Sequence, residues 1–152
     1  MSTPQNILVV DVEATCWNDN RLNPRNEIIE IGIAVIDIKT KTLTESRSII
    51  VTPPTTEISA FCTQLTTLTP EFVQAHGIPF KNAMDICRSE YKMHRNVFAS
   101  WGDYDRKAFE KTANGTGSII RSTILISTSR RSLLRSTVIV VVRRSAAMIL
   151  VL

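Results

Sequence analysis

The stretch Ile-Leu-Val-Val-Asp-Val-Glu-Ala-Thr-Cys, residues 7–16, starts as an apolar run and turns acidic at Asp11 and Glu13. A run of this kind, without the polar alternation of a half-exposed strand, is the pattern of a central strand buried on both faces. The reading therefore places a buried strand over Ile7 to Val12, with two acids at its end. Side chains two residues apart on a strand share a face, so both carboxylates stand together beside apolar surface. That placement is costly unless a cation compensates it. Magnesium or manganese is the natural partner, because hard divalent ions take carboxylate oxygens and a pair of them can hold the attacking and leaving oxygens of a phosphodiester. The competing reading is a solvated strand end, and Asp-x-Glu alone is too short a pattern to decide between them.

Outward from this strand, Ile28 to Ile38 and Leu43 to Val51 are rich in β-branched residues and are separated by the polar Lys-Thr-Lys-Thr at 39–42, which predicts a three-stranded meander. Pro53 and Pro54 end it, since neither can donate to a ladder. Thr69 followed by Pro70 marks the start of a short helix. Phe80, Ala83, Met84, Cys87 and Tyr91 recur at three- and four-residue spacing, predicting a long amphipathic helix over Phe80 to Arg95. Val97 to Trp101 reads as a further short strand and Asp103 to Ala113 as helix. The order of three strands, two helices, a strand and a helix implies an α/β fold with a mixed sheet and helices packed on it.

The last strand matters for the site. If it pairs with the first, only ~5 Å separates them, and Asp105, just beyond its end, approaches Asp11 and Glu13. Asp105 then suits a third ligand, although capping of the following helix is its ordinary role, one that Asp103 could equally perform.

Composition bounds the remaining possibilities. The chain of 152 residues, 43% of them hydrophobic, is enough for one compact domain. No window reaches the ~18 uninterrupted apolar residues of a membrane helix, and the N-terminus has no cationic segment ahead of its apolar run. A cytoplasmic protein without a membrane partner is expected. Cys16, Cys62 and Cys87 are odd in number and lack Cys-x-x-Cys spacing, so they read as reduced structural thiols. The net charge of +4 is unevenly distributed: residues 1–110 hold 11 basic and 14 acidic side chains, whereas residues 111–152 hold 7 basic and none acidic. All nine aromatic residues and all six prolines also precede residue 111. The chain thus divides into 1–111, of ordinary globular composition, and a basic Ser/Thr/Arg/Ile/Val tail at 112–152. Within the tail, Thr137 to Val142 has the composition of an aggregation-prone strand.

Four stretches carry a resemblance over residues 6–110: Val-Val-Asp-Val-Glu-Ala-Thr-Cys at 9–16, Asn-Glu-Ile-Ile-Glu-Ile-Gly at 26–32, Ile-Ser-Ala-Phe-Cys-Thr-Gln-Leu-Thr at 58–66, and Ser-Trp-Gly-Asp-Tyr-Asp at 100–105. Together they resemble the DEDDh (DnaQ-like) 3′-to-5′ exonucleases, in the branch of the 3′ histone-mRNA exonuclease and KapD-type proteins. The resemblance implies an RNase H-like fold, incomplete at its C-terminus, and two magnesium or manganese ions. It implies Asp11, Glu13 and Asp105 as metal ligands, with Glu13 also orienting the attacking water as a catalytic residue. Ala14 and Thr15 match the backbone that lies against the terminal nucleotide. Leu65 falls where the family sets an apolar side chain near the last base, unless it serves the core. The implied partner is the 3′ end of a single-stranded nucleic acid, with RNA slightly favoured over DNA.

The same family requires a general-base histidine and a final aspartate five residues later, and no Asp, Glu or His follows Glu110. His76 and His94 stand in no matching motif and read as surface or packing residues. Weak or absent cleavage is therefore expected, since loss of a general base costs ~10² to 10⁴ in rate. The border near Thr112 suggests a tail read in a shifted frame or otherwise unlike the family's C-terminal region. A non-catalytic nucleic-acid-binding module, its basic tail contacting phosphates, or an inactive fragment is the alternative.

Overall fold

A computed structural model of the chain describes residues 4–18, 26–100, 104–116, 139–143 and 147–151. Its elements are β1 (Asn6–Ala14), β2 (Ile28–Asp37), β3 (Leu43–Thr52), α1 (Ala60–Thr66), α2 (Pro70–His76), β4 (Ile78–Pro79), α3 (Phe80–Ser89), β5 (Val97–Ala99), α4 (Tyr104–Thr116), β6 (Ile139–Arg143) and β7 (Ala147–Val151). Five strands form one sheet in the order β4-β3-β2-β1-β5. β1, β2 and β3 are the antiparallel meander expected from their composition, while β5 pairs with β1, and β4 with β3, in parallel. The sheet is mixed, and the chain has the RNase H-like α/β architecture.

β1 is buried along most of its length because both of its faces are covered. On one face Leu8, Val10 and Val12 join Ile31 and Ile33 of β2 beneath α3 and α4. α3 contributes Phe80, Ala83, Met84 and Cys87, and α4 contributes Phe109 and Ala113. Full burial of one such side chain is worth about 1.5–3 kcal/mol, so the helices are held chiefly by this layer. Phe109 meets Phe98 of β5 edge to face, with centroids 6.2 Å apart. This contact fixes α4 relative to β5 and thus where Asp105 lies. On the opposite face, Ile29, Cys62, Leu68 and Val73 form a second buried cluster under α1 and α2.

A break in register lets β2 serve both layers. Glu13 pairs with Glu30, but Ala14 pairs with Ile28. The skipped Ile29 enters the second cluster, while Ile28 stays with the first. A bulge re-aims side chains in this way, and here it sits at the acidic end of β1.

Some expectations need correction. The amphipathic helix ends at Ser89 and does not run to Arg95. Lys92 adopts a left-handed backbone with φ 46, and the following turn is held by Met93 N–H donating to the Cys87 carbonyl at 3.1 Å. Tyr91 and Met93 remain buried from that turn, which is why apolar spacing continues beyond the helix. The fifth strand of the chain ends at Ala99; Trp101 and Asp103 lie outside the described residues. α1 and the two-residue β4 lie in segments for which no element was expected. α2 starts at Pro70 with Thr69 as its cap, as read. In the tail, β6 pairs antiparallel with β7 in a separate two-stranded sheet; Thr137 and Val138 lie outside the described residues. Among the described residues no helix is long and apolar enough to cross a membrane.

Candidate active site

Asp11 and Glu13 alternate with the buried Val10 and Val12, so they project from the face of β1 that does not carry the α3/α4 layer. Both are half-buried. Opposite Asp11 in β2 stands Gly32, on the same face of the sheet. A Cβ built there would lie 3.4 Å from the Asp11 carbonyl oxygen, an ordinary contact. Glycine is therefore not forced by the backbone at this position; what it provides is a bare patch of sheet beside the Asp11 carboxylate. Opposite Glu13 stands Glu30, whose Oε1 accepts a hydrogen bond from Ser48 at 2.5 Å.

Asp105 lies in the first turn of α4 and is 3% exposed. Its Oδ1 accepts a hydrogen bond from the Val12 backbone N–H at 3.1 Å. Val12 is the residue between Asp11 and Glu13, so this bond ties a carboxylate of α4 to the acidic end of β1 across 93 positions of sequence. Burial pushes the Asp105 carboxyl above the usual carboxylate range; the Val12 bond opposes that shift, and the charge of Asp11 adds to it. A buried carboxylate held against another negative charge is the electrostatic setting that a cation relieves.

A divalent ion fits this donor set on chemical grounds. Asp11, Glu13 and Asp105 supply hard carboxylate oxygens, which suit magnesium and manganese. Their side-chain oxygens do not form a ready-made cage: among the described residues no group of three His, Cys, Asp or Glu side chains is set to hold a metal. The backbone brings the three residues to one end of the sheet, and mutual repulsion opposes closer approach of the carboxylates without a cation.

The segment after Glu13 is fixed by several contacts. Ala14 is buried, and its carbonyl accepts from Cys62 Sγ of α1 at 3.6 Å. Ser59 caps α1 by accepting from Cys62 N–H at 3.0 Å, and its hydroxyl donates to the Cys16 carbonyl at 2.6 Å. Thr15 is fully buried. Its N–H donates to the Glu27 carbonyl at 2.9 Å, and its Oγ1 accepts from Glu27 N–H at 3.0 Å. Leu65 on α1 is 39% exposed, so ordinary core packing is not its role. Cys62 and Cys87 are buried thiols and Cys16 is partly buried, all of them unbridged; burial raises the Cys87 thiol to about 11.

Neither upstream histidine approaches a catalytic role in packing terms. His76 ends α2 on the surface against the Phe72 ring, with centroids 4.6 Å apart, and His94 is exposed in the turn after α3. Sequence reasoning missed Tyr104, which precedes Asp105 and is half-exposed. Burial around its hydroxyl raises the phenol's pKa, and the nearby charges of Cys16, Glu13 and Asp105 raise it further, while a bond with Asn26 lowers it. Tyr104 thus borders the acidic cluster from the α4 side. Its position immediately before Asp105 was the available signal.

A family model described as exonuclease matches residues 8–139, past the compositional border at Thr112. The chain is 35% identical over 86 residues to ERI1 exoribonuclease 2 of Mus musculus, an alignment covering 56% of this chain and 12% of that protein. It is 33% identical over 86 residues to the Homo sapiens protein of the same name, with the same coverage. The chain therefore spans only about an eighth of the curated relatives it matches. Among solved structures, the nuclease domain of 3′hExo, a DEDDh family member bound to rAMP, superposes with a TM-score of 0.68 at 22% identity, covering 78% of this chain and 62% of that one. At this identity the superposition speaks to the fold.

Proposed function

Because the chain belongs to the exonuclease family, we propose that it acts as a 3′-to-5′ exonuclease, hydrolysing phosphodiester bonds from the 3′ end of single-stranded RNA or DNA. The bond from Val12 N–H to Asp105 carries this reading, since it holds the third carboxylate beside the two on β1. In this role Asp11, Glu13 and Asp105 hold magnesium or manganese, and Glu13 orients the attacking water. The ions, when bound, supply charge stabilisation and lower the pKa of water. The buried Ala14 and Thr15 form the backbone wall against which the terminal nucleotide lies, and the exposed Leu65 meets its base. RNA is the favoured substrate: the curated relatives are named exoribonucleases, and a related 3′-exonuclease with a TM-score of 0.63 is solved in 3′-end specific recognition of a histone mRNA stem-loop.

On this reading weak or absent cleavage is expected of the 152 residues, because none of residues 111–152 is an Asp, Glu or His able to supply a general base or a fourth carboxylate. Incubation of a 3′-labelled single-stranded RNA with manganese tests the reading. Stepwise shortening that disappears in Asp11→Ala supports it. Salt-sensitive retention of the strand without shortening supports instead a binding module that uses the seven basic residues of 111–152.

A further inference from the structure

Glu27, at the entry to β2, makes more hydrogen bonds than its partial exposure would suggest. Its Oε2 accepts from Thr55 N–H at 3.1 Å, Thr56 N–H at 2.8 Å and Thr56 Oγ1 at 2.7 Å, and its Oε1 accepts from Thr55 Oγ1 at 2.8 Å. Thr56 Oγ1 also lies 3.0 Å from Thr15 Oγ1, which accepts from Glu27 N–H. An ionised carboxylate can only accept, so the polarity of this ring follows. Thr56 donates to Glu27, Thr15 donates to Thr56, and Glu27 N–H donates to Thr15. The ring starts and ends on the same residue, and Thr15, its buried member, is the residue assigned to the terminal nucleotide.

We propose that Glu27 is a positioning residue for nucleotide binding. Its carboxylate orders the Thr55–Thr56 loop, and through the two threonine hydroxyls it holds the Ala14–Cys16 backbone in the conformation that receives the 3′-terminal nucleotide. This role rests on the exonuclease reading for its ligand. It does not touch the metal site: Asp11, Glu13 and Asp105 contribute no atom to the ring. Glutamine at position 27 can keep its amide oxygen where Oε2 accepts and turn its nitrogen to the Thr55 hydroxyl, losing only the charge that strengthens these bonds, whereas alanine removes every acceptor of the ring.

The test uses the full chain and two readouts. Amide hydrogen exchange reports the hold on Thr15 directly, and titration of adenosine 5′-monophosphate in manganese reports its consequence. Glu27→Ala should speed exchange at Thr15 by about tenfold beyond any change at Leu8 and Ile31, and weaken nucleotide binding by about tenfold, ~1.4 kcal/mol. Thr56→Val, a milder change that leaves the carboxylate in place, should show the same pattern, and Thr56→Ser, which restores the hydroxyl, should behave as the parent. Faster exchange confined to Thr55 and Thr56 while Thr15 and nucleotide binding stay unchanged overturns the positioning role and leaves the exonuclease reading standing. Absence of nucleotide binding by the parent chain overturns the ligand assignment and with it the proposal, whatever the exchange pattern.

Discussion

Asp105 and Val12 are joined by one hydrogen bond of 3.1 Å between a buried carboxylate and a backbone N–H in the middle of the acidic run of β1. The bond gives Asp105 two separable tasks, one structural and one electrostatic. Asparagine keeps an oxygen able to accept from Val12 and removes the charge that burial and Asp11 oppose. Asp105→Asn should therefore fold, gain thermal stability above the ordinary carboxylate range of pH, and lose metal-dependent cleavage by at least ~10–100-fold, the loss typical of weakening a metal site's supporting shell. Asp105→Ala strands the Val12 N–H and should cost about 1–3 kcal/mol. Paired thermal melts and nuclease assays separate the two. A destabilised Asp105→Asn variant would contradict the electrostatic part.

The need for a cation gives a second expectation. An ion that binds only the folded chain stabilises it by mass action, by about 2.7 kcal/mol at a concentration one hundred times its dissociation constant. Manganese should raise the melting temperature of the parent chain, a chelator should reverse the rise, and Asp11→Ala should show neither effect. The same increase in Asp11→Ala would place the ion elsewhere.

Residues whose role is set by their neighbours in sequence were legible without the structure. The three meander strands follow from their β-branched runs, α2 from Thr69 and Pro70, and the pairing of Asp11 with Glu13 on one face from strand periodicity. What could not be read depends on contacts between distant segments. α1 contains two threonines, Thr63 and Thr66, and is capped by a third, Thr67, a poor helical composition, and its start is secured by Ser59 and Cys62 against Cys16 and Ala14. The overrun of α3 has the opposite cause: Tyr91 and Met93 keep helical spacing but are buried from a turn. Asp11, Glu13 and Asp105 could be named from the sequence as candidates, whereas the Val12 bond that ties Asp105 to β1 and the Glu27 ring belong to tertiary structure alone.

α1 contains a correctable strain. Its cap, Thr67, sits in the left-handed region with φ 67 and ψ −1, a conformation that costs an L residue roughly 1–2 kcal/mol and is least suited to a β-branched side chain. The cap's own N–H donates to the Thr63 carbonyl, which any residue but proline can reproduce. Thr67→Gly removes the steric cost but gives the unfolded chain more freedom to lose. A net gain of about 0.5–1 kcal/mol in denaturant unfolding is expected, with nucleotide binding unaltered. A loss of stability would mean that the threonine side chain makes a compensating contact.

Glu27 links the ring to the pH dependence of folding. Burial works to raise its pKa, but the side-chain and backbone hydrogen bonds from Thr56 and Thr55 outweigh burial, and the carboxyl lies below its ordinary value of 4.5. For an acid with a depressed folded pKa, the unfolded chain takes up a proton first as pH falls. The stabilisation is therefore fully present above pH 4.5 and is lost as the pH drops toward and through the folded value. In Glu27→Gln this contribution is absent at every pH. The two proteins should thus differ most in stability near neutrality, with the gap narrowing as the pH is lowered below about 4.5. Denaturant midpoints measured from pH 7 to pH 3 check this sign, and a gap that widens on acidification would show that the threonine contacts do not favour the charged form.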